Sequence, residues 1–192
     1  MKSWMMLALC AAGPAGCLAQ SALPFSIKEK LVFHAKQAYA PGIVVGIAAI
    51  AGYQQLINMP GEWGQGGEGY GHRFGSVLAI SGIRGTLSFG LDTMLHEDPR
   101  YYRSESKNFF HRAAHAVTGT ILTRTDSGAE TLSIWRLGGD YGAAFLSDTW
   151  YPGRLDTPRH AVVEGSLIMA LDLAGNLGAE FWPDIRKKVF HK

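Results

Sequence analysis

Residues 81–99 read SGIRGTLSFGLDTMLHEDP, and in this stretch polar residues recur at regular intervals within an apolar background. Spacings of three, four and four residues place them on one face of a helix: Ser81, Arg84, Ser88 and Asp92. Proline does not fit inside a helix and disfavours the helical conformation of the residue before it, so a helix that precedes Pro99 ends before that residue. We therefore predict a helix that begins within the glycine-rich residues 61–75 and ends near Leu95.

Two later segments carry polar stripes of the same kind. One comprises Arg136, Asp140 and Asp148 with Ala144 between them, and the other Glu164, Asp172, Asn176 and Glu180. Such stripes have two interpretations. They are the solvated faces of amphipathic helices, or they form a polar seam inside a membrane bundle, where Arg84 meets a carboxylate from a neighbouring helix.

Capping and proline signals divide residues 20–192 into about six predicted helices. The helices begin at the capping box Ser26–Glu29, Pro41, the run 61–75, Ser104 or Ser106, the capping box Ser127–Glu130, and Thr157 before Pro158. They end near Tyr39, Met59, Leu95, residue 123, Thr149 and Trp182, the last because Pro183 follows. No alternating strand pattern is visible, so we predict a single all-α domain, a compact bundle of about five to six helices.

Residues 40–59 form the most apolar of these segments, and 20 residues make about 30 Å of helix. The segment is either a membrane span or the central helix of the bundle. Each Arg or Asp at a helix centre disfavours insertion by about 2.5–3.5 kcal/mol. We therefore expect 40–59 to be the segment that inserts by itself.

The chain contains 24 glycines, and glycine inside a helix costs up to about 1 kcal/mol relative to alanine. Small residues four apart let two helices approach closely. That spacing occurs at Gly42 and Gly46, at Gly67, Gly71 and Gly75, and at Gly138 and Gly142. We predict glycine-mediated helix packing, although part of the 61–75 run is equally compatible with a flexible loop.

The N-terminus has the three parts of a secretory signal peptide, predicted to span residues 1–19. Lys2 is followed by the apolar stretch 4–12 and by small residues, with a cleavage position after Ala19. The run Ala15-Gly16-Cys17 also resembles the end of a lipoprotein signal, in which the cysteine is acylated. We therefore expect export to the periplasm or a cell-envelope membrane.

Composition excludes several classes of protein. A net charge of +2 without a long basic run argues against nucleic-acid binding. Two cysteines are too few for a disulfide scaffold. The sequence has no phosphate-binding loop, dinucleotide fingerprint, HExxH or GxSxG motif, so we predict no cofactor.

The densest group of reactive side chains lies in residues 95–103, LHEDPRYYR. His96 and Asp98 could bind a metal or transfer a proton, and Arg100 could hold a phosphate or carboxylate. The alternative, which we favour, is an interfacial belt in which tyrosines and arginines meet lipid headgroups.

Two further candidate groups lie within the predicted fourth helix and directly after it. His111 and His115 lie one turn apart and could supply half of a zinc site, although packing or surface roles are commoner. Arg124, Asp126 and Ser127 lie where the fifth helix is predicted to begin, so they could bind an anion or simply cap that helix. Ser127 would be a nucleophile only with a base nearby.

The chain resembles a family of exported bacterial proteins of acidobacterial type to which no activity is assigned. The matching stretches are GQGGEGYGHRFG (64–75), LHEDPRYY (95–102), TRTDSG (123–128), WYP (150–152) and FWPDIRKK (181–188). The resemblance implies export and a shared fold but no catalytic residues. Family members tend to have asparagine near the position of Asp140, which implies no catalytic role there.

The sequence favours a non-enzymatic cell-envelope protein, embedded in or attached to a membrane. Its expected partners are the lipid bilayer, other envelope components and further copies of itself. The alternative is an envelope enzyme that acts on a lipid, a phosphorylated or a glycan substrate. Its site would require the following residues to converge: His96, Asp98, Arg100, His111, His115, Arg124 and Asp126.

Overall fold

The computed structural model describes residues 23–190, so the predicted signal peptide lies outside the described residues. Within them are six α-helices: α1 Ile27–Tyr39, α2 Pro41–Leu56, α3 Gly66–Met94, α4 Phe109–Ile121, α5 Ile134–Ser147 and α6 Pro158–Phe190. Three short antiparallel strands in the order β1-β2-β3 complete this part of the chain: β1 Glu97–Asp98, β2 Leu122–Thr125 and β3 Glu130–Leu132. The prediction of a compact helical bundle is confirmed.

Helix α3 is the centre of the bundle. Helices α1 and α2 run one after the other along one side of it: Ser81 Oγ donates to the Ala38 carbonyl (3.2 Å) and Tyr70 Oη to the Ala48 carbonyl (3.2 Å). Helix α5 packs on another side of α3, α6 packs on α5, and α4 packs on α6.

The prediction that residues 40–59 form the central helix is wrong, and the 20-residue helix predicted as a possible membrane span is shorter in the structure. Helix α2 ends at Leu56 after 16 residues, about 24 Å, and lies at the edge of the bundle. Beyond Leu56 the chain turns, and the Gln55 side-chain amide donates to the Gly66 carbonyl (3.1 Å), which joins the end of α2 to the start of α3.

The capping box predicted at Ser127–Glu130 is also wrong. Gly128 has a φ of +90°, and its N–H donates to the Thr125 carbonyl (2.8 Å), so the chain reverses and β2 pairs with β3. Helix α5 therefore begins at Ile134. Its first N–H groups are capped by Glu97 of β1, whose Oε2 accepts from Trp135 N at 3.0 Å.

Pro183 lies inside α6, although the sequence predicts that the helix ends before it. Arg112 of α4 contacts α6 at this point. Its guanidinium donates to Glu180 Oε1 (2.9 Å) and to Asp184 Oδ2 (2.5 Å), and therefore joins the residues on both sides of the proline. It also donates to the Glu180 carbonyl.

Glycine-mediated packing is confirmed where α5 meets α3 and is wrong for the predicted glycines of the 61–75 run. A Cβ at Gly142 would lie 2.9 Å from Leu87 Cδ1, and one at Gly139 would meet Ser88. By contrast, a Cβ at Gly67, Gly71 or Gly75 would meet nothing within 4 Å. For Gly42 and Gly46 close packing stays a prediction.

We expect Gly139→Ala to lower the free energy of unfolding by about 1–3 kcal/mol, because the new methyl group forces α5 away from α3. Thermal and chemical denaturation of the purified protein measure the change. Gly75→Ala on α3 is the matched control, since its methyl group has free space. This substitution should raise the free energy of unfolding by up to about 1 kcal/mol. Equal effects of the two substitutions would contradict the packing role of Gly139.

Candidate functional site

Arg84 on α3 joins three helices through two carboxylates. Its Nε donates to Asp140 Oδ1 of α5 (2.5 Å) and its Nη2 to Asp172 Oδ2 of α6 (2.5 Å). Arg136 of α5 lies 3.1 Å from the same oxygen of Asp172. The prediction that Arg84 meets a carboxylate from a neighbouring helix is confirmed. The role of Asp140 seen here is therefore to anchor Arg84.

The other residues of the polar stripes also face the interior, so their interpretation as solvated faces is wrong. His34 Nε2 lies 2.7 Å from Asp92 Oδ2, and Ser88 Oγ donates to the Trp135 carbonyl (3.2 Å). The stripe on α6 makes the remaining contacts: Glu164 with Ser147 (2.7 Å), Asn176 with Thr120 (3.0 Å), and Glu180 with Tyr101 (2.9 Å). A polar seam of these groups thus runs along the inside of the bundle.

Large apolar side chains cover the outside. On the outward face of α6, Val163, Leu167 and Leu171 are exposed, Leu167 by 62%. In the described part of the chain, α3 and α6 are the two helices long and apolar enough to cross a membrane. Residues 40–59 belong to neither of them. The inward-facing charged residues of these two helices, such as Arg84, Asp172 and Glu180, are paired within the bundle.

At one end of the bundle, the β-sheet gathers residues that are far apart in the sequence. Strand β1 pairs with β2 so that Asp98 lies opposite Arg124. His96 Nδ1 lies 3.7 Å from Asp126 Oδ2, and the Asp126 N–H donates to the His96 carbonyl (2.7 Å). The hairpin of β2 and β3 therefore brings the predicted candidates around His96 next to those around Arg124.

Lys30 of α1 also belongs to this cluster, although it is not among the site residues predicted from the sequence. Its ammonium is buried and donates to the Asp92 carbonyl (3.1 Å), the Glu97 carbonyl (2.7 Å) and Asp126 Oδ2 (3.1 Å). In the sequence, Lys30 stands among alternating charges that suggest a solvent-facing helix, and no local signal distinguishes it from Lys28.

Asp98 is fully engaged by neighbouring donors. Arg100 Nε donates to both of its oxygens (2.8 and 3.0 Å), and Tyr102 Oη donates to Oδ2 (2.7 Å). Burial opposes ionisation of Asp98, but the hydrogen bonds from Arg100 and Tyr102 outweigh it and lower the pKa of Asp98. Burial, followed by the bond to Asp98, raises the pKa of Tyr102 to about 12. Arg124 lies over the Tyr102 ring, 4.9 Å from its centroid.

His111 and His115 lie near this cluster but do not complete a metal site. His115 Nε2 lies 2.9 Å from the Tyr102 carbonyl, and His111 Nδ1 lies 3.5 Å from Ser104 Oγ. Among residues 23–190, no group of three His, Cys, Asp or Glu side chains could hold a metal ion. Both histidines instead contact the segment that follows β1 and thereby connect α4 to it.

His96 is the most accessible reactive group of the cluster. Its side chain is 80% exposed beside Asp126, and its backbone has a φ of +55°. A solvent-facing imidazole next to a carboxylate can take up and release a proton. The Ser127 hydroxyl lies 2.8 Å from Thr125 Oγ1, and a threonine hydroxyl is not a general base.

Comparison with protein-family models, curated proteins and solved structures found no match to this chain. The resemblance to exported acidobacterial-type proteins therefore stays a prediction.

We expect Lys30→Met to lower the free energy of unfolding by about 3 kcal/mol, because two carbonyls and Asp126 lose a buried donor. Chemical denaturation measures the difference. Lys28→Met on the exposed face of α1 is the matched control and should be nearly neutral. A neutral effect of Lys30→Met would contradict the anchoring role of Lys30.

The lowered pKa of Asp98 predicts a pH-dependent contribution to stability. A carboxylate with a depressed pKa stabilises the fold above its unfolded value of about 3.9, and the contribution is lost as pH falls through the folded value. We therefore expect Asp98→Asn to be clearly destabilising at pH 7 and less so at pH 3, measured by denaturant unfolding. Asp156→Asn, in an exposed turn, should show no such difference.

Proposed function

We propose that this protein is an exported, integral membrane protein of the cell envelope whose α3 and α6 cross a bilayer, and that its role is non-enzymatic. The observation that carries the proposal is the reversed distribution of polarity. Fully buried side chains include Arg73, Asp92, Asp140 and Glu180, whereas leucine, valine and isoleucine side chains lie on the surface. A bilayer favours this arrangement because it leaves apolar side chains in lipid and ionised groups paired inside the bundle.

The length of the apolar outward face of α6 supports the proposal that this helix crosses a bilayer. From Ala161 to Trp182 the helix covers 21 steps, about 32 Å, which matches the hydrocarbon thickness of about 30 Å. The charged residues of this interval, Glu164, Asp172 and Glu180, all make contacts within the bundle. Arg159 and Arg186 flank the interval, where they reach the headgroups.

The export part of the proposal rests on the predicted signal peptide of residues 1–19. Tryptophan is enriched at the two membrane–water interfaces. Trp63 and Trp150 lie near one end of the bundle and Trp182 near the other, which supports an interface at each end. The proposed partners are the bilayer and other envelope components, including further copies of this chain.

The contact between His96 and Asp126 favours a second candidate, an envelope enzyme that transfers a proton to a lipid, phosphorylated or glycan substrate. The exposed Arg124 would place positive charge near an anionic substrate. The test is hydrolysis of such substrates by the purified protein and by His96→Ala. Equal rates for the two proteins would exclude this candidate.

We expect the mature protein to stay in the membrane pellet after extraction with alkaline carbonate. An antibody against the protein detects it in the pellet and in the supernatant. Leu171→Arg should move it to the soluble fraction, because an arginine near the centre of a span disfavours insertion by about 2.5–3.5 kcal/mol. The control is Gln37→Arg on the exposed face of α1, which should stay in the pellet. A urea wash distinguishes protein inserted in the membrane from aggregated protein. Release of the unsubstituted protein into the supernatant by carbonate would refute membrane integration.

A further inference from the structure

One end of α6 and the first turn of α4 form a surface that we call the α4–α6 tip. It consists of Lys107, Phe109, Phe110, Trp182, Ile185, Arg186, Lys187, Lys188 and Val189. Phe109 packs against Phe181, with 4.9 Å between the ring centroids, and lies 5.6 Å from the Phe110 ring. The phenylalanines of α4 therefore lie next to α6, beside the residue that precedes Trp182.

The apolar side chains of the tip point into solvent. Phe110 is 81% exposed and Phe109 61% exposed, and Trp182, Ile185 and Val189 are exposed on successive turns of α6. Spacings of three and four residues put these last three on one face of the helix. Exposed apolar patches mark surfaces that bind a protein or a membrane, so this surface fits a partner that accepts apolar side chains.

The tip is also positively charged. Lys107, Arg186, Lys187 and Lys188 are exposed around the apolar side chains. The nearby carboxylates Glu180 and Asp184 are already ion-paired with Arg112, at 2.9 and 2.5 Å, and Glu105 is the acidic residue of the preceding loop. A partner that complements this surface has an apolar interior and negative charge at its edge.

We propose that the α4–α6 tip binds anionic phospholipids, with its aromatic side chains among the acyl chains and its lysines and arginine on the headgroup phosphates. The inference rests on the proposed membrane location, since Trp182 marks the end of the α6 span. It adds a preference for lipid charge that membrane insertion alone does not require. The opposite end of the bundle lacks a comparable basic cluster among the described residues, because Arg154 is paired there with Glu62.

The test uses the full chain in nonionic detergent with a fluorophore at Val189→Cys. Cys10→Ser and Cys17→Ser remove the two native thiols. The probes are phosphatidylglycerol, phosphatidylcholine of the same chain length, and inorganic phosphate. We expect the fluorescence midpoint for phosphatidylglycerol to be at least about tenfold lower than for phosphatidylcholine, given about a fivefold gain per basic residue. Phosphate alone should cause no change.

The triple variant Arg186→Gln, Lys187→Gln and Lys188→Gln should lose the preference for phosphatidylglycerol, whereas Arg154→Gln with Arg159→Gln at the other end should keep it. Phe110→Ser should weaken binding of both lipids. Equal midpoints for the two lipids, an equal response to phosphate, or an unchanged preference in the triple variant would each overturn the proposal. Carbonate extraction of the triple variant reports membrane integration separately, because its α6 span is unaltered.

Discussion

The ion cluster of Arg84 with Asp140 and Asp172 is the interaction on which the arrangement of α3, α5 and α6 depends. Removing these charges from water costs several kcal/mol per ion, and only well-formed hydrogen bonds offset that cost. The helices must therefore hold fixed distances. The contact of Gly139 and Gly142 with α3 allows this approach, since Gly139 directly precedes Asp140. Close packing and charge pairing thus constrain the same helix crossing.

The sequence predicts those parts of the fold that local signals decide. The capping box of Ser26 and Glu29, proline at the start of α2, and the Thr157 cap before α6 are all present in the structure. The errors occur where a distant residue decides the outcome. Glu97 caps α5 from another strand, and Arg112 bonds to both sides of Pro183, so that neither boundary could be recognised from adjacent residues.

The same distinction applies to the candidate site. Residues 96–100 and 124–126 stand out in the sequence because reactive types are dense there, but their meeting depends on the β2–β3 hairpin. The turn at Gly128 resembles a helix start in its residue types, which hid the hairpin. Lys30 could not be predicted, because burial of one lysine on an amphipathic helix depends on the carbonyls at the ends of α3 and β1.

The separation of Arg84 and Asp172 in the chain has a consequence for biosynthesis. The two residues are 88 positions apart, and Asp172 lies in the last helix of the described chain. During synthesis, α3 and α5 can pair Arg84 with Asp140, whereas the second carboxylate is added 88 residues after Arg84, as part of α6. Until α6 docks, Arg84 lacks its second carboxylate. The charge pairing at this helix crossing is therefore complete only when α6 has packed on α5.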